Sequence, residues 1–289
     1  MILLDRLKSA SESAQKGHFQ KLLSRPMSFI KPALLKHRSK TVIIDARTFF
    51  DRKMKIVIPE PISVRIWRYS IFESDVAFYL LHSLRENDTF IDIGGHFGFF
   101  SMLACEIVGE KGHVVTFEPM PNTREILTHN LKTHAVKAKK TIIPAAAGDT
   151  PGRLTFQNFG LVGSAFATSG SVRNAGYNAQ ESVDVEVVTV DSIVKELNLS
   201  SCRLMKIDAE NAEMQVVLGA LEMLKSHRPY IILETGDDTA GEHLSKPVVE
   251  MVVALGYEAF EFENWALKPH RITESYAYQN LLLIPKTDH

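Results

Sequence analysis

Hydrophobic and polar positions follow two different patterns on either side of Asp88. Beyond it, short apolar runs alternate with segments whose apolar residues recur at helical spacing. The runs Thr89–Ile93, His113–Phe117, Thr141–Ala147, Val183–Val190, Arg203–Ile207 and Tyr230–Glu234 read as strands. Between and after them, Phe99–Val108, Asn122–Lys132, Asp191–Leu197, Ala212–Leu224 and Pro247–Leu255 read as helices. The chain closes on two further strands, Tyr257–Phe262 and Gln279–Ile284, with no convincing helix between them. Before Asp88 the pattern is looser. Leu3, Leu4, Leu7, Ala10 and Ala14 fall on one helical face, and Pro26 and Pro32 interrupt the chain. Thr41–Asp45 and Lys55–Ile58 read as short strands, Pro59 and Pro61 as a turn, and Asp75–Leu84 as a helix.

Apolar strands alternating with helices predict a parallel sheet covered on both faces. The last two strands predict an antiparallel pair at its edge. The expected organisation is therefore α/β: an N-terminal extension over residues 1–86, then a mostly parallel open sheet over 87–289. No internal repeat is present.

Composition adds boundaries. With 289 residues, 45% hydrophobic and 23% charged, the chain can bury a core without disulfides or a structural metal. Cys105 and Cys202 form no metal-ligand spacing, and two free thiols fit a reducing compartment. No apolar run is long enough to span a membrane, and the start is too polar after Leu4 for a signal-peptide core; the expected location is cytoplasmic. The net charge of -1 conceals an asymmetry, with thirteen Lys/Arg against four Asp/Glu through Lys55. Aromatics do not interleave with these charges as a base-stacking surface requires. The basic arm is therefore expected to be a solvated leader or to pair with the acidic body, and nucleic acid is not the expected partner.

Candidate chemistry gathers at predicted strand ends, where open α/β sheets bind ligands. Asp92-Ile93-Gly94-Gly95-His96-Phe97-Gly98 ends the first strand. His96 and Phe99 stand where a dinucleotide fingerprint needs glycine, and no phosphate-binding G-x-x-x-x-G-K loop occurs. Glu118 ends the next strand, where an acid can accept both hydroxyls of a ribose. Asp149, after the third, could meet an adenine amino group or cap a turn. Asp208, Glu210 and Glu213 crowd the end of the Arg203–Ile207 strand. Acids so close raise one another's pKa, as suits a general base. Glu213 reads as a helix-N-terminal acid. Glu234 ends the Tyr230–Glu234 strand in the same manner. Asp208, Glu210 and Glu234 are hard oxygen ligands, but without a denser Asp/Asn cluster no metal is expected. His129, His134, His227 and His270 are scattered; His96 alone is placed for a role.

These residues resemble the FkbM-type methyltransferase family. The resemblance runs from about Asp88 to Pro285 through FIDIGGHFGFFS (Phe90–Ser101), TFEPMP (Thr116–Pro121), the helix ending in Asn130, MKIDAENAEMQVVLGA (Met205–Ala220), RPYIILE (Arg228–Glu234) and QNLLLIP (Gln279–Pro285). It implies a Rossmann-like class I methyltransferase sheet, S-adenosylmethionine as methyl donor, and transfer to a hydroxyl of a sugar, glycan or secondary metabolite. Two departures stand out. The family has Ala and Asn where this chain has Gly95 and His96, and Gly where it has Asn211, which tolerates a left-handed backbone. Expected donor contacts are Asp92, Gly94, Gly95, His96, Gly98, Glu118, Asp149 and Asp208. Expected catalytic residues are Asp208, Glu210 and Glu234, with Glu210 or Glu234 as base. The polar Gln157–Ser182 stretch is expected to be a lid over a small-molecule or glycan acceptor. RNA methylation and a non-catalytic binding protein of the same fold are the alternatives.

Overall fold

The structure, a computed structural model, describes residues 2–16, 26–37, 40–164, 181–238 and 243–286. Its N-terminal part holds α1 (Ile2–Gln15), α2 (Met27–His37), the antiparallel hairpin β1 (Val42–Arg47) and β2 (Lys53–Ile58), then α3 (Pro61–Tyr69) and α4 (Ser74–Ser83). Pro32, read as a chain breaker, and Pro61, read as part of a turn, both sit in helices, while Pro26 stands in the turn just before α2. Pro32 lies inside α2 and has no N–H for the Ser28 carbonyl one turn back; that carbonyl accepts from Arg68 Nε at 2.9 Å instead. Pro61 occupies the first turn of α3, where a missing N–H is harmless. The Glu60 carboxylate caps that turn, accepting from the Ile62 and Ser63 N–H groups at 2.8 and 2.6 Å.

The alternating part gives β3 (Thr89–Ile93), α5 (Phe99–Val108), β4 (His113–Phe117), α6 (Pro121–Thr133) and β5 (Lys139–Ile143). Pro144 then breaks the single strand expected over Thr141–Ala147. β6 (Ala146–Ala147) turns away to join β7 (Gly152–Asn158) and β8 (Glu181–Val188) in a small sheet of order β6-β8-β7. The ends of the polar stretch expected as a lid are thus strand, and its middle, 165–180, lies outside the described residues. Next come α7 (Val190–Glu196) and β9 (Leu204–Ile207). The single helix expected over Ala212–Leu224 is two, α8 (Glu213–Leu218) and α9 (Leu221–His227). Gly219 sits at the break, where an added Cβ would lie 1.9 Å from the Gly148 carbonyl oxygen. Last are β10 (Tyr230–Thr235), α10 (Ser245–Ala254), β11 (Tyr257–Glu263), β12 (Ala266–Pro269) and β13 (Gln279–Pro285).

The main sheet has the order β12-β11-β13-β10-β9-β3-β4-β5. β5, β4, β3, β9 and β10 run parallel, and β13 pairs antiparallel with both β10 and β11. This is the mostly parallel open sheet with an antiparallel edge that the pattern predicts, and the Rossmann-like class I methyltransferase sheet that the resemblance implies. The antiparallel strand inserts inside the edge, and the short β12 extends that edge by one more. Strand residues alternate between faces. Phe90, Val114, Leu204, Ile232 and Leu282 pack into one core with α4, α5 and α6. Ile91, Val115, Met205, Ile231 and Leu283 pack into the other with α7 through α10. Order reverses beside β3, so the crevice opens at the carboxyl ends of β3, β4, β9 and β10.

The described N-terminal residues share the first of these cores. Leu7, Met54, Ile56 and Tyr79 are at most 1% exposed within it, so α1 is packed structure and not a solvated leader. Arg52 pairs with Glu106 of α5 at 2.6 Å, one contact between the basic arm and the acidic body. Among the described residues no helix is long and apolar enough to cross a membrane.

Candidate active site

Gly94 begins the site in a left-handed conformation, φ 77°. A Cβ there would lie 2.0 Å from the Asp208 carbonyl oxygen, so only glycine lets the β3 and β9 loops touch. The turn then hangs on β4: the Gly94 and Gly95 N–H groups both donate to the Phe117 carbonyl, at 3.2 and 3.0 Å. Gly98, φ 91°, opens α5. Asn130 holds the turn from behind. Its amide donates to the Phe97 carbonyl at 2.8 Å and bonds the Lys55 backbone in both directions.

A cavity of about 360 Å³ opens over this turn, with Gly94, His96, Glu118, Asp208, Glu210 and Glu234 in its walls. Glu118 is held by the backbone. One carboxylate oxygen accepts from the His96 N–H at 2.9 Å, the other from the Met120 N–H at 3.0 Å. Burial nevertheless pushes its carboxyl up to about 8. His96 itself has φ 50°; its ring lies against Phe97 and its Nε2 meets Ser164 Oγ at 2.7 Å. Burial pushes the imidazole down to about 3, so it is neutral near pH 7.

Beneath the turn lies an ionic ladder. β3 and β9 pair Asp92 with Lys206 in register. The Lys206 ammonium is 2% exposed, 2.7 Å from Asp208 and 4.0 Å from Asp92. Burial opposes its charge, but Asp208 and Asp92 outweigh burial and raise its pKa. Asp92 also accepts from Ser101 Oγ at 2.5 Å, and that oxygen meets Thr116 Oγ1 at 2.8 Å. Asp92 is 1% exposed and forms no part of the cavity wall.

Glu210 and Asn211 carry the β9 loop through two successive left-handed residues, φ 48° and 80°, so Asn211 adopts the left-handed backbone for which the resemblance implies glycine. Glu213 braces this loop, its carboxylate accepting from the Ala209 and Asn211 N–H groups at 3.0 and 3.3 Å. Glu234 is 8% exposed, and its Oε2 is buried with no hydrogen-bond partner. Burial, then Asp208, Glu210 and Glu213, raise its pKa well above the ordinary carboxyl value. It separates the main cavity from a second of about 280 Å³.

Of the expected residues, Gly94, His96, Glu118, Asp208, Glu210 and Glu234 share the cavity, while Gly95 and Gly98 shape the turn. Asp149 is exposed on the turn after β6 and does not line the cavity; Ala145, Ala146 and Ala147 do. Three further wall residues escape sequence reading. Glu60 caps α3. Glu73, at the N-terminus of α4, accepts a hydrogen bond from the Tyr278 hydroxyl. Both acids sit in a segment whose apolar pattern marks only an extension, and Tyr278 is one aromatic in a polar loop. Lys206 had a readable signal: a lone cation inside the apolar strand Leu204–Ile207. Among the described residues no cluster of His, Cys, Asp and Glu is arranged to hold a metal ion.

Comparison with known proteins agrees with this architecture. The family model described as the methyltransferase FkbM domain matches residues 92–259, more than half of the chain. The hexuronic acid methyltransferase AglP of Haloferax volcanii is 28% identical over 173 residues, covering 58% of this chain and 65% of that relative, just under two thirds of its length. Among solved structures, the FkbM methyltransferase of Methylobacillus flagellatus superposes with a TM-score of 0.45 at 11% identity, over 91% of this chain and 59% of that one. Aeropyrum pernix fibrillarin, solved with S-adenosyl-L-methionine bound, gives 0.41 at 11% identity, over 69% and 67%. Both superpositions are loose and add nothing to the strand order. The family match, which spans the glycine turn, Glu118 and the acid-rich β9 loop, decides the matter: this chain belongs to the FkbM methyltransferase family.

Proposed function

We propose that the protein is an S-adenosylmethionine-dependent methyltransferase that methylates a hydroxyl oxygen of a sugar or glycan. The observation that carries this reading is Glu118. It stands at the carboxyl end of β4 beside the glycine turn and faces a cavity whose opposite wall holds Asp208 and Glu234. Each Glu118 oxygen has one backbone donor and keeps a lone pair for a ribose diol. Phe117, Met120, Ala146, Leu154 and Phe156 give the adjoining wall an apolar face for a purine. Asp149, exposed, is left out of this reading, and Asp92 acts from below through Lys206. Membership in the family supports methyl transfer, and the hexuronic acid methyltransferase relative supports a sugar acceptor.

When bound, the donor supplies an electrophilic methyl on a sulfonium that carries its own leaving group. What remains for the chain is to align the acceptor, exclude water and accept a proton. Asp208, fixed by Lys206, contributes negative charge beside the glycine turn. Glu234 is the base: its Oε2 has no partner, and a raised carboxyl pKa suits a base working near neutral pH. Glu210, on the same wall, is the next candidate. Buried thiols at Cys105 and Cys202 are in keeping with a cytoplasmic enzyme. Calorimetry tests the reading. S-adenosylhomocysteine should bind and NAD should not; binding of NAD alone would overturn it.

A further inference from the structure

α2 presents its large apolar side chains to solvent and its small residues to the protein. Ser28 and Pro32 are buried on the inward face. Met27, Ile30 and Leu34 are 60, 49 and 50% exposed on the outward face, where spacings of three and four residues align them in one stripe. Ala33 is exposed beside them. Contacts with α3 fix this orientation. Arg68 Nε donates to the Ser28 carbonyl at 2.9 Å, and the Arg68 guanidinium lies 4.1 Å from the centre of the Phe29 ring. Lys31, on the flank of the stripe, sets its ammonium 5.8 Å from the centre of the Trp67 ring. Single apolar residues at a surface are ordinary, but an aligned stripe of three marks an interaction surface.

Charge names the occupant. Between Glu12 and Asp45 the sequence has seven Lys/Arg and no Asp or Glu. Lys36, on α2, and Lys40, just after it, are exposed. An apolar stripe among cations matches the boundary between anionic headgroups and acyl chains: the stripe enters the apolar layer and the cations stay with the headgroups. RNA would engage the cations and leave the stripe in water. A second copy of this chain would bring the same seven cations against these, a like-charge juxtaposition. We propose that α2 docks the protein on an anionic lipid surface. At 11 residues it is too short to span a bilayer, and it lies in the plane of the interface. This goes beyond the methyltransferase reading and stands without it. The two surfaces are nonetheless joined: α2 packs on α3, and α3 starts in the wall of the main cavity with Pro61 and Ile62, behind its cap Glu60.

The test is co-sedimentation of the whole chain with lipid vesicles, phosphatidylcholine alone against phosphatidylcholine with about one-third phosphatidylserine. Partition to the anionic vesicles should exceed that to the neutral ones by about tenfold or more, and should weaken as salt rises. Ile30→Gln with Leu34→Gln should cut anionic binding by about tenfold or more. Lys36→Glu with Lys40→Glu should do the same through charge alone. Glutamine is a good helix former, and neither pair belongs to the core or the cavity, so melting temperatures should hold. Absence of binding to anionic vesicles overturns the proposal, as does binding that Ile30→Gln with Leu34→Gln leaves unchanged. A melting temperature lowered by that pair shows the stripe covered within the chain. A dimer that the same pair dissociates shows a second copy on it. Tighter binding to RNA than to anionic vesicles shows a nucleic-acid surface. Each of these three results overturns the proposal as well.

Discussion

Glu118 and Glu234 occupy equivalent places in the fold. Each lies at the carboxyl end of a parallel strand of one sheet, each is nearly buried, and each faces the same cavity. Their surroundings differ. Glu118 has a backbone N–H on each oxygen and Arg124 against its own carbonyl. Glu234 has an oxygen with no partner, and burial and then four acids, Asp208, Glu210, Glu213 and Glu73, raise its pKa. A satisfied carboxylate is a fixed template with spare lone pairs. An unsatisfied one is poised to accept a proton or a donor hydrogen from whatever arrives. On the proposed reading, the same residue type at the same topological address would serve binding in one case and chemistry in the other, with the backbone around it deciding which.

The largest effect should come from the unsatisfied side. Glu234→Gln keeps the shape but cannot take a proton, and the single-turnover rate should fall by roughly 10²–10⁴, the usual contribution of a positioned base. Donor affinity should hardly move. Stability should move the other way. A raised carboxyl pKa means that the folded state keeps protons the unfolded chain has lost, so unfolding becomes easier as pH rises from the unfolded value through the folded one. For Glu118 that window runs from 4.5 to about 8, and for Glu73 from 4.5 to about 7. Glu234 shifts in the same direction. Glu234→Gln removes its share, so denaturant midpoints should match the parent protein near pH 4 and exceed it at pH 8. A lower midpoint at pH 8 with an unchanged rate would strip Glu234 of its role and pass the base to Glu210.

Lys206→Met comes next and strikes the β9 side alone. It leaves Asp92 buried, its own Oδ1 without a hydrogen-bond partner and without the ammonium 4.0 Å away. Breaking a buried ion pair from one end should destabilise the fold by about 3–5 kcal/mol in chemical denaturation. Glu118 draws on His96, Met120 and Arg124 rather than Lys206, so whatever protein remains folded should bind S-adenosylhomocysteine with only a modest loss. Glu118→Ala reverses the pattern. It should weaken that binding by about 1.5–3 kcal/mol, the range for hydrogen bonds to a charged group, while the fold tolerates the change. Should Lys206→Met and Glu118→Ala weaken donor binding alike, the two sides of the cavity would be one unit, and the contrast drawn between them would fail.

Much of this was legible beforehand because strand ends are marked by composition. An acid closing an apolar run, as at Glu118, Asp208 and Glu234, is visible in one dimension, and a parallel sheet covered on both faces follows from alternation. What stayed hidden depends on contacts between distant segments. Glu73 and Tyr278 meet across 205 residues, and no local pattern announces such a pair. Pro61 and Pro32 misled because proline is hostile to helix interiors yet harmless where the N–H is not needed or where another donor, here Arg68, takes the freed carbonyl. Asp149, read as meeting an adenine amino group or capping a turn, follows a chain that leaves the main sheet at Pro144; it is exposed and does not line the cavity.

The smallest effect sharpens the contrast most cleanly. A Cβ added at Gly95 would lie 2.1 Å from Thr116 Cγ2, so glycine fits this chain at a position where the resemblance implies alanine. The obstacle is one methyl group, not backbone, so Gly95→Ala should lower stability near the bottom of the roughly 1–3 kcal/mol range for overpacked sites. The strain falls on the turn that presents the His96 N–H to Glu118. Donor affinity should therefore drop with it, while the environment of Glu234, on the far wall, stays as it was. Thr116→Ser deletes the methyl and keeps the hydroxyl that meets Ser101, so adding it to Gly95→Ala should restore both stability and affinity. A double-mutant cycle over these two positions reads the coupling directly. Additive effects would mean that the turn relaxes without leaning on Thr116, and that the grip on Glu118 depends on something other than this contact.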